Sequence, residues 1–293
     1  MNPSSDLRSF SSRKHADGQW NTASVALRWS PLRRCATYLS FKRALIDKFS
    51  IALPQAPRVL EVGCGVGSYA RWLLSAQPSA RVVAIDWSLE ALRTIPSTTH
   101  SALHLVCADA HHLPFKTDSF DGAYSVDTFG HLHAVSSALR EIARTTRRNA
   151  PIAFHSECRD YRSRWPDVKL IAQLGSDIPA EIDGHYFLHS SQRIQKLYSV
   201  CFCLSHFYSP AGLMGWLLGY PEKYLPAFVQ SRWYGCIGFT ALSTVLKRLP
   251  LIGLMLRFVN VTTNHLELVF NLTGGGSCFA LGHVAKSPPK EEP

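Results

Sequence analysis

No CxxC pair occurs among the eight cysteines, Cys35, Cys64, Cys107, Cys158, Cys201, Cys203, Cys236 and Cys278. That absence argues against a zinc ribbon or a paired-thiol redox centre, and buried free thiols in a reducing compartment are the expectation. Residues 1–22 are polar and contain no apolar h-region, so no secretory leader is expected and the expected location is cytoplasmic. Acidic residues are the scarcer charge, 21 against 31 Lys and Arg, for a formal charge of +10. Such an excess draws nucleic acid, an anionic membrane surface or an acidic substrate. The cations are scattered, however, as Arg8, Arg13 and Lys14, then Arg33 and Arg34, Arg144, Arg147 and Arg148, and Lys247 and Arg248. No stretch interleaves them with aromatics as RNA-binding sheets do, so nucleic acid is not an expected partner.

What is present is an ordinary globular composition, 46% hydrophobic and 18% charged over 293 residues, enough for one large core. Residues 1–19 are Ser- and Arg-rich and are expected to be disordered. Residues 20–57 form an N-terminal helical segment, with Tyr38, Leu39, Phe41, Leu45, Ile46 and Phe49 at helical spacing, closed by Pro54 and Pro57. Short apolar runs then alternate with helical stretches. Strands are expected at 58–63, 81–86, 103–109, 120–127 and 151–158, and helices at 67–76, 88–94 and 135–147, with Ser88 as an N-cap. Such alternation implies a doubly wound, mostly parallel α/β sheet, whose ligands bind beyond the carboxyl ends of the strands.

The first strand runs into Glu61-Val62-Gly63-Cys64-Gly65-Val66-Gly67-Ser68. Glycines at this spacing let the chain turn sharply and let a ligand approach the backbone. A dinucleotide fingerprint counted from Gly63 requires glycine where Ser68 stands. The second strand ends at Asp86, whose carboxylate suits the paired hydroxyls of a ribose, and Trp87 follows it as a possible platform for a base. The third strand leads into Asp109-Ala110, then Leu113-Pro114-Phe115 and Asp118-Ser119-Phe120-Asp121.

These motifs, in this order, resemble the type 11 family of class I S-adenosylmethionine-dependent methyltransferases over about residues 55–158. The resemblance implies a Rossmann-like seven-stranded sheet and S-adenosyl-L-methionine as cofactor. It implies a cofactor site built from Glu61, Gly63, Gly65, Gly67, Asp86, Trp87, Asp109, Ala110 and Ser125, with Asp109 accepting from the adenine amine. One departure is the turn before the fifth strand, Arg147-Arg148-Asn149-Ala150-Pro151 in place of a Pro-Gly-Gly-like element; Asn149 can supply the left-handed conformation. Families of this kind have no universal catalytic residue. His131 and, behind it, Asp127 are the nominees. His111, His112, His131 and His133 all follow strands on the ligand side, but His111 and His112 fall on solvent-facing positions of the family stretch, and no metal is expected.

The remainder of the chain supplies the last two strands, expected at 201–208 and 278–286, preceded by a helix at 191–200. The chain thus divides into the cofactor domain, 58–208, with 160–188 as a lid segment, an inserted helical lid, 209–277, and a last strand and tail, 278–293. The sixth strand ends on the ligand side, so its insertion emerges over the site. That insertion is apolar and aromatic, with Leu213, Trp216, Tyr220, Trp233, Tyr234 and the run 249–258, which fits a small-molecule or lipid-like acceptor and peripheral membrane contact. A membrane span is opposed by Pro210, Lys247 and Arg248. The function expected is methyl transfer. The alternatives are a non-catalytic cofactor- or partner-binding domain and an NAD-dependent oxidoreductase, the latter opposed by Ser68 and by Asp109-Ala110.

Overall fold

The computed structural model describes residues 39–96, 101–160, 184–185, 187–209, 242, 245–246, 248–269 and 276–285. The elements in chain order are α1 (Leu39–Ala52), β1 (Arg58–Val62), α2 (Ser68–Ala76), β2 (Arg81–Asp86), α3 (Leu89–Arg93), β3 (Leu103–Cys107) and β4 (Gly122–Val126). They continue through α4 (Val135–Thr145), β5 (Pro151–Glu157), α5 (Ser191–Cys201), β6 (Phe202–Tyr208), α6 (Pro250–Val269) and β7 (Ser277–Val284).

The strands are short, rich in Val, Ile and Leu, and buried on both faces in β1, β2, β4 and β5, as helices on either side of a sheet require. They form one sheet in the order β3-β2-β1-β4-β5-β7-β6, with β7 antiparallel to both neighbours and the other pairings parallel. After β3 at the edge, the chain returns to lay β4 beside β1. The strand order therefore reverses between β1 and β4, and a crevice opens beyond their carboxyl ends.

One core layer joins α1 and α2 to the sheet through Leu45, Ile46, Phe49, Leu73 and Leu74. The other joins α4 and α5 through Leu139, Ile142, Ile194 and Tyr198. The helices earn these positions by spacing. In α4, Val135, Ala138, Leu139, Ile142 and Thr145 are buried on one stripe.

The seven-stranded, mostly parallel sheet agrees with the sequence expectation, and the differences lie at the strand ends. The fourth strand was expected from Phe120 to Asp127. Phe120 instead makes an isolated bridge to Thr146, and Asp127, at φ 61°, leaves the extended region. The third strand stops before Asp109, because that side chain accepts from the backbone N–H of His111, 2.9 Å away, and turns the chain. Ser88 caps α3 by accepting from Ala91 N at 3.2 Å. Asn149 adopts φ 60°, so the departing turn is made in the left-handed region. Of the N-terminal segment, 39–52 is helical; residues 1–38 and most of the two lid segments, 161–183 and 210–241, lie outside the described residues.

Candidate active site

The glycine loop occupies the crevice end of β1. Gly63, Gly65 and Gly67 have φ of 72°, 52° and 70°, so each sits where an L side chain is strained, and Gly67 opens α2. A Cβ on Gly63 would lie 2.1 Å from Thr128 Oγ1, so this glycine is also required by close approach of the chain beyond β4. Asp86, 7% exposed, holds the loop from β2. Its Oδ2 accepts from Gly65 N at 2.8 Å and its Oδ1 from Ser88 N at 2.9 Å. Trp87, beside it, is partly exposed.

Glu61 lies beneath this loop at 1% exposure. Burial raises its carboxyl to about 8, against smaller lowering effects of Tyr124, its cross-strand neighbour, and Arg71. Asp109 is engaged by His111 Nδ1 at 2.7 Å as well as by the His111 backbone. His111 is therefore buried, which corrects the expectation of a solvent-facing position; His112 is exposed as expected. Ala110 is buried beside it. Ser125 is fully buried, and its hydroxyl donates to Val62 O at 2.9 Å. That bond ties β4 to β1 from within the sheet and gives Ser125 a structural part.

The four histidines do not converge on one point. His111 stacks on His133 at 4.4 Å, while His131 stacks on His185 at 4.7 Å and places Nδ1 3.1 Å from Gly184 O.

A cluster that sequence reasoning missed lies beyond β4 and β5. Asp127 takes Lys42 Nζ, from α1, on both carboxylate oxygens at 2.5 Å. Its Oδ1 also lies 2.7 Å from Nδ1 of His155, which is 1% exposed. Glu157 completes the group, and three ligand-type atoms of Asp127, His155 and Glu157 fall within 4.8 Å of one another. Burial disfavours the Asp127 charge, yet Lys42 and then His155 hold its carboxyl well below the usual range. Burial, and next the Asp127 charge, push Glu157 well above it. Burial, then Lys42, lowers His155, leaving the imidazole neutral. The only sequence signal for this cluster was a run of polar residues, His155-Ser156-Glu157, at the end of a strand that otherwise reads apolar.

Glu157 also lines a small pocket with Phe129, Val135, Phe187, His189 and Tyr198. Two carboxylates closing β2 and β3, together with a left-handed glycine loop closing β1, make a donor set that fits an adenosyl group. A sheet of this order carrying that loop defines the class I methyltransferase fold. Residues 60–154 match the model of the methyltransferase domain family.

The chain is 33% identical over 145 residues to the methyltransferase GfsG of Streptomyces halstedii, covering 48% of each chain. It is 30% identical over 130 residues to a malonyl-[acyl-carrier protein] O-methyltransferase of Halorhodospira halophila, covering 42% of this chain and 44% of that one. The chain thus spans about half the length of the curated relatives it matches. Among solved structures, phosphoethanolamine N-methyltransferase 2 of Haemonchus contortus, in complex with S-adenosyl-L-methionine, is similar at a TM-score of 0.53 and 15% identity. That match covers 84% of this chain and 53% of that one. The [4+2]-cyclase SpnF is similar at a TM-score of 0.54 and 13% identity, covering 86% and 84%. These likenesses concern the fold.

Proposed function

We propose that the chain is an S-adenosylmethionine-dependent methyltransferase acting on a small-molecule or lipid-like acceptor. The observation that carries this reading is the Asp86 carboxylate bonded to the backbone of Gly65, which sets a ribose-type acceptor against a loop free of side chains. On this reading Gly63, Gly65 and Gly67 let the cofactor approach the backbone, and Asp86 takes its ribose. Trp87 and Ala110 border the adenine, Asp109 accepts from the adenine amine, and Glu61 and Ser125 brace the loop from below. The cofactor, when bound, supplies a methyl group on a sulfonium, already a good leaving group. The protein's task is then to orient the acceptor, exclude water and take up a proton.

The lid reading rests on where the insertion leaves the sheet. Ser209 and Gly276 both adjoin Cys158, through Ser209 Oγ at 3.9 Å from Cys158 Sγ and a bond of 3.0 Å from Cys158 N to Gly276 O. Ser209 and Gly276, the described residues that flank the insertion, thus meet at one place beyond the end of β5, which supports reading the insertion as a source of acceptor contacts. Its apolar composition and the exposed Leu251, Met255 and Val269 of α6 support contact with a lipid-like acceptor or a membrane surface. Among the described residues no helix is long and apolar enough to cross a membrane. Of the two nominated catalytic residues, His131 orders the Gly184–His185 segment. Asp127 is already engaged by Lys42, so it does not meet an acceptor alone.

The second reading is a cofactor-binding domain that transfers no methyl group, and the likeness to a cyclase is what favours it. Calorimetry with S-adenosylhomocysteine tests the shared part. Wild type should bind, Gly65→Arg should not, and Asp86→Ala should lose about 1–3 kcal/mol. Binding of NADH in place of S-adenosylhomocysteine would refute the assignment. Incubation with methyl-labelled cofactor and a cell extract then separates the two readings: label in a lipid or small-molecule fraction supports transfer.

A further inference from the structure

We propose that Glu157 is the proton acceptor for a hydroxyl-bearing methyl acceptor, and that it relays the proton to Asp127. The proposal rests on the methyl-transfer reading above and names the acceptor group that reading leaves open.

Four side chains from three parts of the chain make the device: Lys42 of α1, Asp127 after β4, and His155 and Glu157 of β5. Lys42 sits on both oxygens of Asp127, so of the two carboxyls Asp127 is the one that keeps its charge. Glu157, close enough to share a proton with Asp127, then holds that proton. Its Oε2 is buried with no hydrogen-bond partner, while its side chain forms part of the pocket wall. A buried carboxyl oxygen left without a partner is destabilising, and a hydrogen-bond donor in the pocket would relieve that cost. Next to Asp127 stands Thr128, packed against Gly63 of the glycine loop, so the device adjoins the cofactor crevice.

An acceptor hydroxyl donates to Glu157 Oε2. As its oxygen bonds to the methyl carbon and the carbon–sulfur electron pair withdraws onto sulfur, the hydroxyl proton passes to Oε2. The proton that Glu157 already carried passes to Asp127. The acceptor gains a methyl ether, sulfur becomes a neutral thioether, and the proton, held only weakly by Asp127 beside Lys42, passes on to solvent, to which the Asp127 side chain is 35% exposed.

Charge argues for a hydroxyl over the other acceptor groups. Lys42 and Asp127 cancel, while Glu157 and His155 are neutral, so nothing in the cluster offsets an ammonium, and a carboxylate acceptor brings no proton to remove. A divalent cation bound by Asp127, His155 and Glu157 is disfavoured because the Lys42 ammonium already takes both Asp127 oxygens.

Infrared spectroscopy of the whole chain at pH 7 should show the C=O stretch of a protonated carboxyl that Glu157→Gln removes. Labelled methyl transfer to a panel of phenols, aliphatic alcohols and thiols should favour hydroxyl acceptors. Glu157→Gln should slow that transfer about 100-fold, with S-adenosylhomocysteine affinity unchanged. A protonated-carboxyl band that Glu157→Gln leaves unchanged, beyond the band of the also protonated Glu61, would overturn the proposal. So would equal rates for Glu157→Gln and wild type on hydroxyl acceptors, or a stoichiometric divalent metal in the purified protein. Failure of wild type to bind S-adenosylhomocysteine would instead remove the methyltransferase reading, and this proposal with it.

Discussion

Lys42 and Asp127, 85 residues apart in the chain, meet with Nζ 2.5 Å from both carboxylate oxygens and so pin α1 to the crevice end of β4. Lys42 is nearly buried at 8% side-chain exposure, while Asp127 retains 35%. Lys42→Met should therefore destabilise the fold by about 1–3 kcal/mol at pH 7, less than a fully buried pair costs, since water screens part of the remaining charge. Because the folded-state Asp127 carboxyl is depressed, its stabilisation is fully present above the unfolded value of about 4 and is lost as pH falls through the folded value. Urea midpoints should show the gap between variant and wild type closing in acid. A gap that is independent of pH would remove the electrostatic account.

Glu61 has the opposite sign. With its folded-state carboxyl at about 8, it stays protonated where the unfolded chain has ionised. The stability it contributes is complete below the unfolded value and lost as pH rises through the folded one, with a slope of at most about 1.4 kcal/mol per pH unit. Glu61→Gln, nearly isosteric and uncharged, should flatten this fall between pH 5 and pH 8. Unfolding curves that keep the same slope in both proteins would place the proton elsewhere.

Gly63 and Thr128 form a steric pair. Gly63→Ala should weaken S-adenosylhomocysteine binding and lower stability, because the new Cβ meets Thr128 Oγ1, Cγ2 and Cβ at 2.1, 2.4 and 2.8 Å. Adding Thr128→Gly removes the clash but not the cost of φ 72°, about 1 kcal/mol. Partial recovery of the thermal midpoint in the double variant is the expected result. No recovery would mean that backbone strain alone decides.

Much of the frame was legible beforehand because it is written locally. Val and Ile runs bounded by Gly and Asp give β1 and β2, and the Ser88 cap requires only its own neighbours. The Lys42–Asp127–His155–Glu157 cluster was not legible, since each residue taken alone looks like an ordinary polar group and only sheet order brings them together.

The insertion between β6 and β7 provides a further test. Tyr208 pairs with Phe279 across the two antiparallel strands, so a short Gly-Asn turn between Ser209 and Gly276 can close the hairpin. That protein should fold, bind S-adenosylhomocysteine and lose transfer to the natural acceptor, as labelled product measures. Unchanged transfer would refute the lid, and failure to fold would place the segment in the main core. Flotation with anionic liposomes should carry wild type and leave the deletion behind if the insertion also docks on membranes.

Hydrophobic periodicity and the glycine spacing, properties of neighbouring residues, determined the strands, the helices and the position of the glycine loop from sequence alone. Tertiary structure decided which histidines are buried, which carboxyl carries charge and which carries a proton. Those outcomes depend on desolvation and on charges contributed by distant elements: the same glutamate chemistry gives Glu141, paired with Arg144, a lowered carboxyl and Glu157, beside Asp127, a raised one.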